Sequence, residues 1–147
     1  MFEMKKIVCA VDVREPSHVT MEYAAELATR LGAELTLLHV SHLPPASAVT
    51  AEKALEQWRA EAESRVGAPV RARLLFGDAI PEILRLAQET NCGLLVVGAR
   101  GRASVARRVL GSVAERVIAS APCPVLVVHD HRLVEKSDEA EEIAQYR

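Results

Sequence analysis

Two hydrophobic periodicities alternate along this chain from its first residues to about residue 128. Four stretches with helical spacing separate five apolar runs of strand length, which lie at residues 7–11, 35–40, 70–76, 94–97 and 125–128. Strands that alternate with helices predict βαβ crossovers and a parallel sheet. No internal repeat or linker interrupts the pattern. The sequence therefore predicts a single α/β domain with a doubly wound sheet.

The helical stretches carry their own start and stop signals. Ser17 opens the first, and Gly32 follows it as a residue suited to the left-handed turn after a helix. Asp78 is placed to cap the third helix, and Ser112 and Glu115 have the spacing of a capping box at the fourth. The apolar positions predicted to face the core are, helix by helix, Val19, Tyr23, Leu27 and Leu31; Ala51, Leu55, Trp58 and Ala62; Ile80, Ile83, Leu84 and Ala87; and Ala114, Val117, Ile118 and Ala121.

Composition supports the same class of fold. Hydrophobic residues make up 50% of the chain but aromatic residues only 3%, so the core must consist of aliphatic side chains and alanine. This is typical of a parallel sheet covered by helices and argues against a β-sandwich. In the run at 70–76, Arg71 and Arg73 alternate with apolar residues, which predicts an edge strand with one wet face.

Charge is distributed unevenly. The formal net charge of −2 argues against a general nucleic-acid binder. Residues 130–147 hold six acidic and three basic residues, which leaves fourteen acidic and fifteen basic residues in the rest. We therefore expect a domain over residues 1–129, followed by a charged C-terminal tail over residues 130–147 that is frayed or loosely helical.

The cysteines and the start of the chain indicate the compartment. Cys9, Cys92 and Cys123 form neither a CxxC pair nor a metal-ligand spacing, and we interpret them as structural fillers in a reducing compartment. The opening MFEMKK leads into a short apolar stretch that is broken by Asp12, unlike a signal peptide or a membrane span. The sequence predicts a cytoplasmic protein that does not contact membranes.

Two predicted strands end in residues that a buried sheet does not require. The first strand ends at Asp12 and the fourth at Gly98, from which the sequence runs GARGRASVARRVLGSV. Ligands of open parallel sheets bind beyond the carboxyl ends of strands, where the winding direction reverses. Glycines let the backbone approach a ligand closely. The helix start at Gly111, Ser112 and Val113 offers unpaired amides and a positive dipole end, which suit a phosphate.

Further residues strengthen this interpretation, although each has a simpler alternative. Four arginines between residues 100 and 108 add positive charge, and Asp12 offers acceptors for a ribose or an adenine amino group. Taken singly, Gly98 and Gly101 fit a plain turn, Ser112 an ordinary N-cap and the arginines a solvated face. Together, at one strand-end crevice, they favour anion binding.

The glycine spacing resembles that of a known family. Gly98-x2-Gly101-x9-Gly111-Ser112 matches the G-2x-G-9x-G-[S/T] pattern of the ATP-binding branch of the universal stress protein family. The resemblance extends over about residues 4–129 and includes KKIVCAVD, LTLLHV, LLVVGARG and CPVLVV. It implies a fold like that of adenine nucleotide alpha hydrolases, with four helices around a five-stranded parallel sheet in the order 3-2-1-4-5. Asp12 and Gly98 then lie on adjacent strands at the reversal point.

By position, the resemblance also implies the residues that hold ATP. Asp12 would contact the ribose and base, and the Val40 backbone would contact adenine. The family often has a small polar residue soon after the first-strand aspartate, whereas this chain has Val13-Arg14-Glu15-Pro16, so the resemblance does not fix the adenine side. The ribose and phosphate contacts would come from Gly98, Ala99, Arg100, Gly101, Arg102, Ser104, Gly111, Ser112 and Val113.

Several catalytic and metal-binding patterns are absent from the sequence. It has no GxxxxGK[ST], no GxGxxG after the first strand and no GxSxG. His39-x2-His42 and His129-x-His131 have the spacing of metal pairs, but their places on a buried strand end and an exposed tail favour other roles. No residue near the glycines is an obvious base for activating water, so we assign no catalytic residue. Mg²⁺ or Mn²⁺ would bind through the nucleotide phosphates.

These observations favour one function over two others. The favoured function is a dimeric, ATP-binding regulatory protein of the stress response, which senses the nucleotide and acts on an unidentified protein partner. The second is an enzyme, either a slow ATPase or a nucleotide-dependent transferase. The third is an adaptor without nucleotide, which the intact glycine pattern opposes. Because the fully apolar run Val125–Val128 lies at an edge in the implied order, we expect it to pair with its own copy in a homodimer.

Overall fold

Strands and helices alternate in the computed structural model, which describes residues 4–99 and 110–130. Every ladder is parallel and the strand order is β3-β2-β1-β4-β5, so the predicted fold class and order are confirmed. The strands are β1 (Lys6–Ala10), β2 (Glu34–Ser41), β3 (Val70–Phe76), β4 (Leu94–Gly98) and β5 (Val125–Val128). The α-helices of the described part are α1 (Val19–Leu31), α2 (Val49–Val66), α3 (Ala79–Glu89) and α4 (Ser112–Ser120).

Helices cover both faces of the sheet. Alternate side chains of a strand point to opposite faces, so Val96 joins the hydrophobic cluster under α1 and α2, while Val97 joins the cluster with α3 and α4. This two-sided burial explains why β1 and β4 are apolar on both faces over most of their length. At one edge of the sheet, Arg71 and Arg73 of β3 are exposed, as expected for an edge strand.

The ends of α1 follow the sequence signals with a small shift. The helix begins at Val19, two residues after Ser17, whose Oγ accepts a hydrogen bond from the Val19 amide at 3.4 Å. It ends as predicted at Gly32, which adopts a left-handed φ of 62° and donates its backbone N–H to the carbonyls of Ala28 and Thr29.

The predicted buried face of α1 is only half right, because Val19 and Leu27 are partly buried against the core but the other two positions are exposed. Tyr23 and Leu31 are 48% and 47% exposed. Small side chains let the backbone of this helix approach the sheet and α2, and the larger side chains at its margins are left in water. The residues of α1 that are buried are Met21, Ala24, Ala25 and Ala28.

The other helices agree better with the sequence. Leu55, Trp58 and Ala62 of α2 are buried, as predicted. In α3 the buried residues are Ile83, Leu86 and Ala87, while Ile80 and Leu84 are partly exposed. In α4, Ala114 and Val117 are buried but Ile118 is 46% exposed.

None of the described helices is long and apolar enough to cross a membrane. Our expectation for the tail concerns residues 130–147, of which all but Asp130 lie outside the described residues.

Candidate functional site

A cavity of about 550 Å³ lies at the carboxyl ends of β1, β2 and β4. It includes the point between β1 and β4 where the winding direction reverses, the usual place for a ligand in this architecture. Its lining combines apolar side chains with a few charged and polar groups, as ligand cavities commonly do. The lining residues are Ala10, Val11, Asp12, Arg14, Glu15, Ser17, Thr20, Leu38, His39, Val40, His42, Trp58, Ala79, Ile83, Val97, Gly98, Ser112, Val113 and Ala114.

Five of the residues singled out in the sequence line this cavity. Asp12 follows β1, Val40 lies in β2, Gly98 ends β4, and Ser112 and Val113 begin α4. Four elements far apart in the sequence thus contribute to one space. Four other predicted site residues fall outside the described residues, namely Arg100, Gly101, Arg102 and Ser104.

The remaining two, Ala99 and Gly111, join the ends of the glycine-rich segment. The Gly111 amide donates a hydrogen bond to the Ala99 carbonyl at 2.7 Å, and the Ala99 amide donates to the Val128 carbonyl at 2.8 Å. Ala99 is buried, with 4% of its surface exposed. The two ends of the segment are therefore bonded to each other, and Ala99 is also bonded to β5.

The start of α4 differs from the capping box that we predicted. Gly111 is the N-cap, with an extended backbone at φ −63° and ψ 158°, and Ser112 is already the first helical residue. The bond from Gly111 to Ala99 fixes the chain at this point, and the helix begins one residue earlier than the box requires. The Glu115 amide bonds to the Gly111 carbonyl at 3.0 Å, and no side chain caps the helix. The first-turn amides thus carry the partial positive charge of the helix start beside the cavity.

On the β1 side of the cavity, Arg14 holds the Asp12 carboxylate. Arg14 Nη2 donates to Asp12 Oδ2 at 2.8 Å, while Arg14 Nε and the Arg14 backbone amide both donate to Oδ1, at 2.9 and 3.0 Å. Burial by itself would raise the pKa of Asp12, but the hydrogen bonds and charge of Arg14 outweigh it and lower the pKa below its usual value. Asp12 is therefore a carboxylate at neutral pH.

A buried histidine lies next to this pair. His39 is 4% exposed, and its Nδ1 lies 3.1 Å from the Val11 carbonyl oxygen and 3.5 Å from the Val13 amide nitrogen. The shorter contact is the one in which Nδ1–H donates to Val11, which leaves Nε2 as a hydrogen-bond acceptor. Burial lowers the pKa of His39 below its usual value, against the Val11 bond and the Asp12 charge, which act to raise it. The imidazole is thus neutral at pH 7.

The α1–α2 side of the cavity contains the single tryptophan of the chain. Trp58 is 5% exposed and lies against His18, with ring centroids 4.0 Å apart. His18 Nδ1 is 2.7 Å from Glu61 Oε2. Trp58 thus forms an aromatic wall of the cavity, which is held by contacts between α2 and the residue that precedes α1. Among residues 4–99 and 110–130, no group of three or more His, Cys, Asp and Glu side chains is arranged to hold a metal ion.

Sequence reasoning did not identify Arg14, His39 or Trp58 as residues of the site. Arg14 follows a strand end that we had already selected, and His39 lies next to Val40, so the position of both at carboxyl strand ends was an available signal. Trp58 had no such signal, because its place in a helical apolar stripe predicts only that it is buried.

Comparison with known proteins shows the family to which this chain is similar. The sequence model of the universal stress protein family matches residues 3–129. A universal stress protein of Methanocaldococcus jannaschii is 33% identical over 138 residues, which cover 84% of this chain and 81% of that protein.

Two solved structures are similar and carry adenine nucleotides. A universal stress protein in complex with cAMP aligns with a TM-score of 0.71 and 26% identity, over 86% of this chain and 98% of that one. The universal stress protein of Archaeoglobus fulgidus in complex with dAMP aligns with a TM-score of 0.68 and 27% identity, over 86% and 98%.

Proposed function

The chain belongs to the universal stress protein family, and on that premise we propose that it binds ATP in the strand-end cavity and acts as a nucleotide-sensing regulator. The observation that carries the proposal is the meeting of Asp12, Gly98 and Ser112 around one cavity. These residues come from three elements and supply the two kinds of group that a nucleotide needs. A carboxylate suits the hydroxyls and amino group of the nucleoside, and a helix start suits the phosphates.

The positions of the two ends of the glycine-rich segment support a phosphate site at the start of α4. Gly98 lines the cavity, and the bond from Gly111 to Ala99 holds both ends of the segment beside the start of α4. Phosphates bound at the amides of Ser112 and Val113 would interact favourably with the helix dipole. Arg100, Arg102 and Gly101 belong to this end in our proposal, on the family spacing alone.

The nucleoside end is supported by β1 and β2. Asp12 and the backbone of Val40 lie at neighbouring strand ends, and both line the cavity. The relatives solved with cAMP and dAMP contain adenine, which favours adenine here. Neutral His39 adds a hydrogen-bonding group at the same end.

The side chains that line the cavity near the start of α4 favour nucleotide sensing over nucleotide turnover. The described residues that line the cavity there are Val97, Gly98, Ser112, Val113 and Ala114, and none carries a carboxylate or an imidazole. A general base must reach the water or hydroxyl that it activates. Asp12 and His39 lie at the strand ends that we assign to the nucleoside. We therefore retain a slow ATPase or transferase as the second candidate, with any Mg²⁺ or Mn²⁺ bound through the phosphates.

Trp58 provides a direct test, because it is the only tryptophan and lines the cavity. Its fluorescence should change in a saturable way with ATP, and with adenosine at higher concentration, and should respond far less to GTP. The same titrations of a Trp58→Phe variant should give no signal and so exclude optical artefacts. Equal responses to GTP and ATP would contradict an adenine site, and no response to any of them would contradict a nucleotide in this cavity.

A further inference from the structure

Cys92 and Cys123 lie side by side at the end of the sheet opposite the cavity. Their sulfur atoms are 3.4 Å apart, although the residues are 31 positions apart in the sequence. Cys92 precedes β4 and Cys123 precedes β5. We propose that this pair is a redox modification site, at which a low-molecular-weight disulfide such as oxidised glutathione produces an intramolecular disulfide between Cys92 and Cys123.

The strand register brings the two backbones within disulfide range. Leu95 pairs with Val125 in the parallel ladder of β4 and β5, so continuing the register by two positions sets Cys123 opposite Gly93, the neighbour of Cys92. Adjacent strands lie about 4.8 Å apart, and a disulfide requires about 4.4 to 6.8 Å between Cα atoms. The sulfur atoms must approach by only about 1.4 Å to reach the usual bond length of about 2.05 Å.

Backbone hydrogen bonds hold both cysteines in these positions. The Cys92 amide donates to the Ala87 carbonyl at 3.1 Å, and the Leu95 amide donates to the carbonyl of Pro124, the residue after Cys123, at 3.0 Å. Both cysteines pack in the hydrophobic cluster with α3 and α4. Rotation of the two side chains can therefore form the bond while the strands stay where they are.

Exposure determines the order of the reaction. Cys92 is 7% exposed, whereas Cys123 is only partly buried. Burial and the neighbouring Cys123 sulfur raise the pKa of Cys92 to about 12. The Cys123 thiolate attacks the small disulfide first, which forms a mixed disulfide and releases one small thiol. The Cys92 thiolate then attacks the Cys123 sulfur, which forms the protein disulfide and releases the second small thiol. Two protein thiols are oxidised and one small disulfide is reduced to two thiols.

The cross-link would change stability and leave the cavity intact. The chain between Cys92 and Cys123 contains Gly98, Gly101, Gly111 and all of α4. Closing it removes conformational freedom from the unfolded chain. The bond lies at the amino ends of the strands, whereas the cavity lies at their carboxyl ends. This inference does not depend on what the cavity binds.

The test incubates the full chain with oxidised glutathione and follows its intact mass. We expect a loss of about 2 Da, the mass of two hydrogens, and a fall from three titratable thiols to one in denaturant. The melting temperature should rise by several degrees. The rate of the second step, in which Cys92 attacks the mixed disulfide, should rise by up to about tenfold per unit of pH between about pH 7 and 9. The reason is that the scarce thiolate form of Cys92 becomes more abundant as the pH rises.

Variants separate the two steps. Cys92→Ala should stop at the mixed disulfide and gain the mass of one glutathionyl group on Cys123, and Cys123→Ser should lose no hydrogens. Cys9 is fully buried on the other face of the sheet, so Cys9→Ala is the matched control and should close like the unaltered chain. An unaltered chain that keeps the glutathionyl group, forms a disulfide between two chains or keeps all of its thiols would overturn the proposal.

Discussion

Arg14 takes up most of the hydrogen-bonding capacity of Asp12, the residue that we assign to the nucleoside. An ionised carboxylate has about four lone-pair sites, and Arg14 fills three of them through Nε, Nη2 and its backbone amide. A ribose hydroxyl or an adenine amino group must therefore compete with the guanidinium. This contact arises in Val13-Arg14-Glu15-Pro16, the stretch that departs from the family pattern.

Replacing Arg14 should accordingly strengthen nucleoside binding. In Arg14→Ala we expect adenosine to bind more tightly, by about fivefold to thirtyfold, since one or two hydrogen-bond sites are freed and each is worth about 1 kcal/mol. Asp12→Ala should weaken both adenosine and ATP. Arg30, which pairs with Glu26 on the exposed side of α1, gives a control in Arg30→Ala. Calorimetry that finds weaker adenosine binding in Arg14→Ala would mean that Arg14 positions Asp12 and does not compete for it.

His39 should make the stability of the fold depend on pH. Its pKa in the folded protein is lowered by burial, so the unfolded chain takes up a proton at a higher pH than the folded one does. The contribution of neutral His39 to the free energy of unfolding is fully present above the usual histidine pKa of about 6.5. It is lost as the pH falls below that value. The slope from this one group can reach about 1.4 kcal/mol per pH unit.

Urea unfolding at a series of pH values between about pH 7.5 and 5 measures this effect. His39→Gln should flatten the profile in that window, while replacing the exposed His129 by Gln should leave it unchanged. Identical slopes for the unaltered chain and His39→Gln would contradict a buried neutral histidine.

At the scale of elements, local signals predicted where helices lie more reliably than which residues they bury. Gly32 ends α1 as expected, because a left-handed backbone there strongly favours glycine. The four-residue repeat predicted only part of the buried face of that helix, since Val19 and Leu27 pack against the core but Tyr23 and Leu31 are exposed. The face is set by how closely two layers approach, and this tertiary constraint selects alanines that a search for large apolar residues overlooks.

The start of α4 was missed by one residue for a similar reason. Ser112 and Glu115 satisfy the local capping rule, but the bond from Gly111 to Ala99 connects segments that only the folded chain brings together. No local pattern contains that information. The consequence is functional, because a helix without a side-chain cap keeps its first amides available to a ligand.

The Ser112 hydroxyl should therefore contribute modestly beside these amides. Ser112→Ala is expected to weaken ATP binding by about 1 kcal/mol, or about fivefold in Kd, the usual value of one hydrogen bond. Ser120, exposed at the other end of α4, provides the matched control in Ser120→Ala. Titrations in which Ser112→Ala abolishes ATP binding would show that the backbone amides contribute little.

At the scale of the whole molecule, the sequence predicted the topology because the two periodicities leave few arrangements open. Apolar central strands, the mixed strand β3 and regular alternation with helices together specify a parallel sheet with one wet edge. The strand order came from the family resemblance. The cavity was located only as a strand-end crevice, and its aromatic wall at Trp58 emerged from the packing of α1 against α2.

We propose that the apolar edge strand β5 pairs with its own copy across a two-fold axis. Val125, Leu126 and Val127 are each only partly buried in the single chain, and an unpaired apolar edge promotes aggregation. Val127→Lys should shift sedimentation from dimer to monomer. Ala60→Lys, on the exposed side of α2, should not. A single chain that sediments as a monomer at micromolar concentration would contradict the dimer.

Calorimetry with ATP tests the central claim most directly. The unaltered chain should bind about one ATP per chain with sub-millimolar affinity, a typical strength for a preformed nucleotide site. Gly101→Val should abolish binding without changing the circular dichroism, because the family spacing requires a close backbone approach at that glycine. Ala106→Val adds similar bulk at a position where the pattern specifies no residue type, and it should bind normally. An unaltered chain that binds no ATP at millimolar concentration would contradict the account.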